Sequence, residues 1–182
     1  MLAVFAERTA EEPGLLRRIA GGAPAVRTVH GRWPDVAGSV GVADVVLAHN
    51  VLYDVGERVE EFVAALHDHA RVRVVVALTV RHPLHWVNPY AEALHGIRRP
   101  SEPTADLAAD LVREVTGVTP TYLTWAQQVE PPVDHEAFVR MLARRTCARP
   151  AQHDQLRDLV QRMPPPMTRE MAALVWPGGA HA

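Results

Sequence analysis

His49, Asn50 and Tyr53 follow directly on the apolar run Asp44-Val45-Val46-Leu47-Ala48. A carboxamide and a phenol offer hydrogen bonds there, and an imidazole titrates near neutral pH and can take a proton from a reacting atom. The run itself is continuous rather than alternating, which is how a strand buried on both faces of a parallel α/β sheet reads. In open sheets of that kind ligands bind beyond the carboxyl ends of the strands, so the three side chains fall where a site is expected. A second group, His82, His85, Trp86, Asn88 and Tyr90, follows the strongest apolar run, Arg71 to Thr79. His82 and His85 raise a metal reading, but Cys and carboxylate partners at ligand spacing are lacking, so no metal is expected. Trp86 and Tyr90 can pack as one apolar helix face.

Several chemistries are excluded outright. The chain has no lysine, which removes Schiff-base catalysis and a phosphate-binding P-loop. It shows no Gly-x-Ser-x-Gly elbow and no catalytic Cys–His grouping, so a hydrolase has no support. Cys147 is the only cysteine, which rules out an intramolecular disulfide or a cysteine cage for zinc; it reads as a half-buried structural thiol at a helix end. The net charge is −2 over 182 residues, too balanced for nucleic acid or an anionic membrane surface to be the main partner. No apolar run reaches the length of a membrane span, and acidic residues stand within the first dozen positions, unlike a signal or transit peptide. The expectation is one domain, cytoplasmic.

The elements that must hold these residues can be read in order. Met1 to Arg8 is amphipathic at helical spacing and starts without an N-cap, and Leu15 to Ala20 forms another helical turn or two before Gly21-Gly22. Ala25 to His30 alternates as a half-buried strand. After the Asp44 to Ala48 strand, Asp54 and Glu57 form a pair resembling a capping box, predicting a helix through Leu66. The Arg71 to Thr79 strand is followed by helices over Trp86 to His95 and Thr104 to Thr116, the latter capped by Thr104 and closed by Gly117. Thr119 to Trp125 reads as a strand, Asp134 caps a helix to about Cys147, and Gln152 to Arg162 is a further helix. Pro164-Pro165-Pro166 breaks the chain before a last strand, Met171 to Trp176. Strand and helix alternate, which predicts a mostly parallel sheet with helices on both faces.

The order and spacing of several stretches carry a family resemblance. They are Met1-Leu2-Ala3-Val4-Phe5-Ala6-Glu7-Arg8, Gly31-Arg32-Trp33-Pro34-Asp35-Val36, the whole of Asp44 to Val55, Arg81-His82-Pro83-Leu84-His85-Trp86-Val87-Asn88-Pro89, Gly96-Ile97-Arg98-Arg99-Pro100 and Pro103-Thr104. Together they resemble the carboxyl-terminal two-thirds of a bacterial class I S-adenosylmethionine-dependent methyltransferase. The resemblance covers most of the chain and implies a Rossmann-like methyltransferase sheet lacking its first two strands, with residues 1–182 forming a single partial domain. In the family the first strand ends in a glycine-rich loop that approaches the cofactor, and the second in an acidic residue that holds the ribose. Neither is found here, and Met1 matches a methionine in the helix after the second strand, so the chain reads as truncated at its amino terminus.

The resemblance implies S-adenosylmethionine as cofactor and gives residues to each part of it. Arg32 and Trp33 match positions against the adenine, although Trp33 alternatively packs under the neighbouring helix. His49 and Asn50 match the loop facing the methionine portion, and His49 is also the candidate base that takes a proton from the acceptor. Tyr53, His82, Trp86 and Tyr90 fall on the acceptor side, with Tyr53 alternatively packing on the helix that follows it. The implied function is methyl transfer to an undetermined small-molecule acceptor, by in-line displacement at a sulfonium carbon. The protein's part would be to hold the reactants in near-attack geometry in a dry pocket. The alternative is a non-catalytic remnant serving as a protein-interaction module, completing a partner's sheet by strand addition. A nicotinamide oxidoreductase lacks its glycine fingerprint. In the family order the strand Asp44 to Ala48 pairs with the missing first strand, so one edge is left exposed and low stability or misassembly of the isolated chain is expected.

Overall fold

The computed structural model describes residues 27–130 and 134–180. The chain divides into two compact units, Met1–Val42 and Ala43–Ala182. In the first, the described residues make a tight turn. The Arg32 carbonyl accepts the Val36 N–H at 3.2 Å and the Pro34 carbonyl accepts the Ala37 N–H at 2.9 Å, leading into a 3-10 turn over Ala37–Ser39. Gly31 is required there, because a Cβ would run into the Val36 side chain. The strand expected over Ala25 to His30 is not formed in its described part: Arg27 to His30 has no regular structure. A strand exists only through its ladder to a neighbour, and these residues pair with none. The helices expected over Met1 to Arg8 and Leu15 to Ala20, with Ala25 and Val26, lie outside the described residues.

The second unit is built on a four-stranded sheet in the order β1-β2-β4-β3. Its strands are β1 (Ala43–His49), β2 (Ala70–Thr79), β3 (Thr121–Gln128) and β4 (Thr168–Pro177). β1 runs parallel to β2, whereas β4 lies antiparallel to both β2 and β3. The sheet is therefore mixed and open, which corrects the mostly parallel expectation. The last connection, through Pro164-Pro165-Pro166, enters β4 at the end of the sheet where β2 and β3 finish, so β4 runs down between its neighbours.

Helices α1 (Val59–Asp68) and α3 (Ala105–Thr116) pack on each other, and α1 lies on β2. Their buried sides, Phe62, Val63 and Leu66 from α1 and Ala105, Ala108 and Val112 from α3, match the buried sheet residues Val74, Val76, Leu78, Leu174 and Trp176. Each large aliphatic side chain buried this way stabilises by about 1.5–3 kcal/mol. The opposite sheet face carries Val45, Leu47, Leu123 and Trp125, all exposed, with Leu47 at 68%. Among the described residues α1 packs on the other face; the helices expected over Met1 to Arg8 and Leu15 to Ala20, which bear on the expectation of helices on both faces, lie outside them.

A second core forms around α2 (Asn88–His95), α4 (His135–Thr146) and α5 (His153–Arg162), with Val87, Tyr90, Val139, Leu142, Leu156 and Val160 at its centre. The expected caps are made: Thr104 Oγ1 accepts the Leu107 N–H and Asp134 Oδ1 accepts the Ala137 N–H, at 3.4 and 3.1 Å. Gly117 closes α3 at φ 70°. Two expected helix starts are displaced. The Asp54–Glu57 pair does not cap a helix; 3-10 turns over Leu52–Asp54 and Gly56–Arg58 precede α1, because Gly56 sits at φ 68° and interrupts the right-handed run. Likewise α2 begins at Asn88 after a 3-10 turn over His85–Val87: Pro89 lacks an N–H and fits only the first helical turn. Cys147, expected half-buried, is exposed and closes α4 at φ 55°.

Candidate functional site

All strand ends on one side of the sheet open into a single cavity of about 860 Å³, within the range of small-molecule sites. The loop after β1 brings Asn50, Tyr53 and Asp54 to it, and the loop after β2 brings Arg81 through Trp86. Val129 and Glu130 follow β3, while Arg169 and Glu170 open β4. The antiparallel direction of β4 is what puts its first residues at the same end as the last residues of β2, with Met171 opposite Thr79. One face of α4, Phe138, Met141 and Arg145, forms the far wall at helical spacing.

Asn50 is the most unusual residue of the site. Its backbone is left-handed at φ 53°, a conformation Asn tolerates better than other non-glycine residues. The turn is fixed by its N–H, which donates to the Ala77 carbonyl at 2.8 Å. The side-chain Nδ2 stands 3.5 Å from His49 Nε2, at the outer limit of a hydrogen bond. Oδ1 is buried with no hydrogen-bond partner. A buried carbonyl oxygen without a donor costs about 1–3 kcal/mol, so a ligand N–H or O–H supplied there would be held firmly. His49 itself is exposed at the end of the edge strand and is not among the residues that line the cavity.

Tyr53 lines the cavity, but its hydroxyl is spent on the scaffold. It accepts the Thr79 N–H at 2.7 Å and donates to Thr79 Oγ1 at 2.6 Å, which in turn donates to the Arg81 carbonyl at 2.6 Å. Burial raises its pKa, against the opposing effect of the Thr79 bonds. The ring meets His82 edge-on at 5.4 Å. The chain of bonds ties the β1 loop to the end of β2, so Tyr53 shapes the cavity without presenting a free polar group to it.

The two imidazoles after β2 are locked in opposite senses. His82 Nδ1 accepts the Leu84 N–H at 3.1 Å, so a neutral His82 carries its proton on Nε2. His85 Nδ1 lies 2.9 Å from the His82 carbonyl, which can only accept, so Nδ1 carries the proton and Nε2 keeps its lone pair. Burial lowers the His82 pKa, the His85 charge lowers it further and Asp54 opposes both. Trp86 stacks on Phe138, centroids 6.1 Å apart and 17° between planes, and gives the cavity a flat aromatic wall.

Of the other expected acceptor-side residues, Tyr90 is 2% exposed in the helical core, its hydroxyl donating to the Met163 carbonyl, and is not a lining residue. Arg32 is exposed and Trp33 half-buried, both in the first unit. The structure therefore brings together Asn50, Tyr53, His82 and Trp86 from the residues singled out by sequence. It adds the far wall from α4 and the charged opening of β4. The spacing Phe138, Met141, Arg145 was the available signal for the wall; nothing local marked Glu130, Arg169 or Glu170. Among the described residues no three His, Cys, Asp or Glu side chains come together as a metal site, and no helix is long and apolar enough to cross a membrane. No family model and no curated protein matches the chain.

Proposed function

We propose that this chain supplies the acceptor side and the methionine-facing loop of an S-adenosylmethionine-dependent methyltransferase. The observation that carries the reading is the unpartnered, buried Asn50 Oδ1 on the strained turn at the carboxyl end of β1, where open α/β sheets take their ligands. An acceptor atom there suits the amino group of the cofactor's methionine portion, so Asn50, with His49 beside it, fits that end of the cofactor. The glycine-rich loop with which the family approaches the cofactor and the acidic residue that holds its ribose have no counterpart in these 182 residues. When bound, S-adenosylmethionine supplies an electrophilic methyl group on a sulfonium.

The chain's own residues then position an acceptor. Trp86 and Phe138 provide the flat apolar surface, Tyr53 fixes the loop geometry through Thr79, and the helical cluster excludes water from one side. Titration calorimetry tests the reading. Saturable heat with S-adenosylhomocysteine, lost in Asn50→Ala and not produced by NAD, is the expected result; no heat with S-adenosylhomocysteine overturns it. The exposed edge of β1 and the exposed apolar residues Val45, Leu47, Leu123 and Trp125 favour a second reading, in which the chain binds a partner protein through this sheet.

A further inference from the structure

Resting on the methyl-transfer reading, we infer that the acceptor is a phenol, seated against the Trp86–Phe138 wall with its hydroxyl directed at His85 Nε2, which takes its proton. The first support is the tautomer lock. The His82 carbonyl holds His85 Nδ1–H at 2.9 Å, so the lone pair on Nε2 is the only basic position His85 offers, and His85 lines the cavity. His82 cannot share this role: its Nδ1 lone pair is already taken by the Leu84 N–H at 3.1 Å. The pair of imidazoles thus presents one acceptor, from His85, and one donor, the Nε2–H of His82. His49, the base expected from sequence, does not line the cavity.

The second support is what the cavity asks of its occupant. Asn50 Oδ1 is a buried acceptor without a donor and His85 Nε2 carries an open lone pair, while Leu84, Trp86, Phe138 and Met141 are apolar or aromatic. A flat apolar body bearing hydroxyl donors meets both demands. A carboxylic acid is already ionised near neutral pH and gives His85 nothing to accept. An aliphatic alcohol lies too far above imidazole in acidity for its proton to move. A phenol, near pKa 10 against about 6.5 for imidazole, lies within reach of a base in a shaped site. In the step, the O–H bond breaks, its electron pair stays on oxygen, and the proton is bound at Nε2, so a neutral pair becomes phenolate and imidazolium. The charged groups facing this position are Asp54, Glu130 and Glu170 against Arg81, Arg145 and Arg169, as many cations as anions, and none of them is in an ion pair among the described residues. Arg145 Nε is held on Met141 Sδ at 3.1 Å, at the same wall; the guanidiniums favour the phenolate, and the carboxylates compensate the imidazolium.

The probe is 4-nitrophenol, whose phenolate absorbs visibly, with 4-nitroanisole as the same body without the proton and benzylamine as an ammonium competitor. In buffer below the probe's own pKa, the wild-type chain is expected to raise the phenolate band on saturable binding. His85→Gln should bind 4-nitroanisole as the wild type does, showing the cavity intact, yet lower the ionised-to-neutral ratio of bound 4-nitrophenol about tenfold, one pKa unit. His85→Asn, which keeps a donor for the His82 carbonyl, should behave the same, and His82→Gln should retain the band. An undiminished band in both His85 variants, benzylamine binding more tightly than 4-nitrophenol, or no binding of either nitro compound overturns the inference. These outcomes do not depend on the cofactor. If S-adenosylhomocysteine binds and 4-nitrophenol does not, the phenol falls and methyl transfer stands. The converse removes methyl transfer and leaves a phenol site.

Discussion

Asn50, Tyr53 and the two imidazoles divide the work of the site by what their polar atoms are already doing. Tyr53 has no hydrogen-bonding capacity left for a ligand, because Thr79 uses it from both sides. Tyr53→Phe should therefore cost about 1–3 kcal/mol of stability in urea unfolding, since the Thr79 N–H is left without a partner, while 4-nitroanisole binding persists. An undiminished unfolding midpoint would contradict that assignment. His82 makes a pH prediction. Burial and the neighbouring His85 lower its folded pKa from the ordinary 6.5, so the fold favours the neutral ring. Its contribution is complete above about pH 6.5 and is lost as pH falls through the lower folded-state value. Melting temperature measured across acid pH should fall less steeply in His82→Gln than in the wild type; parallel slopes would refute this.

At the level of elements, the residues that build the cavity are held by caps and by one reversed strand. Asp134 starts the helix that carries Phe138, Met141 and Arg145, so Asp134→Ala should lower stability by about 1 kcal/mol and weaken 4-nitroanisole binding through the loosened wall. Calorimetric melting and a binding isotherm check both. This scale also shows what the sequence made legible. Thr104, Asp134 and Gly117 announced their helix ends because a cap is a local event between residues a few positions apart. Gly56 and Pro89 displaced two helix starts by equally local rules that a capping pattern alone does not weigh. The direction of β4 and the absence of a strand at Arg27 to His30 depend on which strands are neighbours, and periodicity carries no such information. The site followed the same division. Asn50, Tyr53, His82 and Trp86 stand next to strand ends and were legible; Arg169 and Glu170 reach the cavity only because β4 runs backwards beside β2, and Glu130 only because β3 ends on the same side.

Across the second unit, among the described residues, the sheet ends at β1 in an unpaired edge, and Val45, Leu47, Leu123 and Trp125 lie exposed on the face away from α1 and α3. Apolar surface and open backbone groups together favour self-association. Leu47→Lys, at a side chain already 68% exposed, should leave stability within about 0.5 kcal/mol and shift sedimentation towards the monomer. An unchanged distribution would show that this face is not sticky. The same edge adjoins Asn50, so the loop proposed to face the cofactor and the open seam meet at one corner of the sheet. The most direct test of the account is amide chemical-shift mapping with S-adenosylhomocysteine. Saturable shifts at His49 and Asn50, absent with NAD and abolished in Asn50→Ala, are predicted; amides that stay still there while others move, or that answer NAD equally, would contradict it.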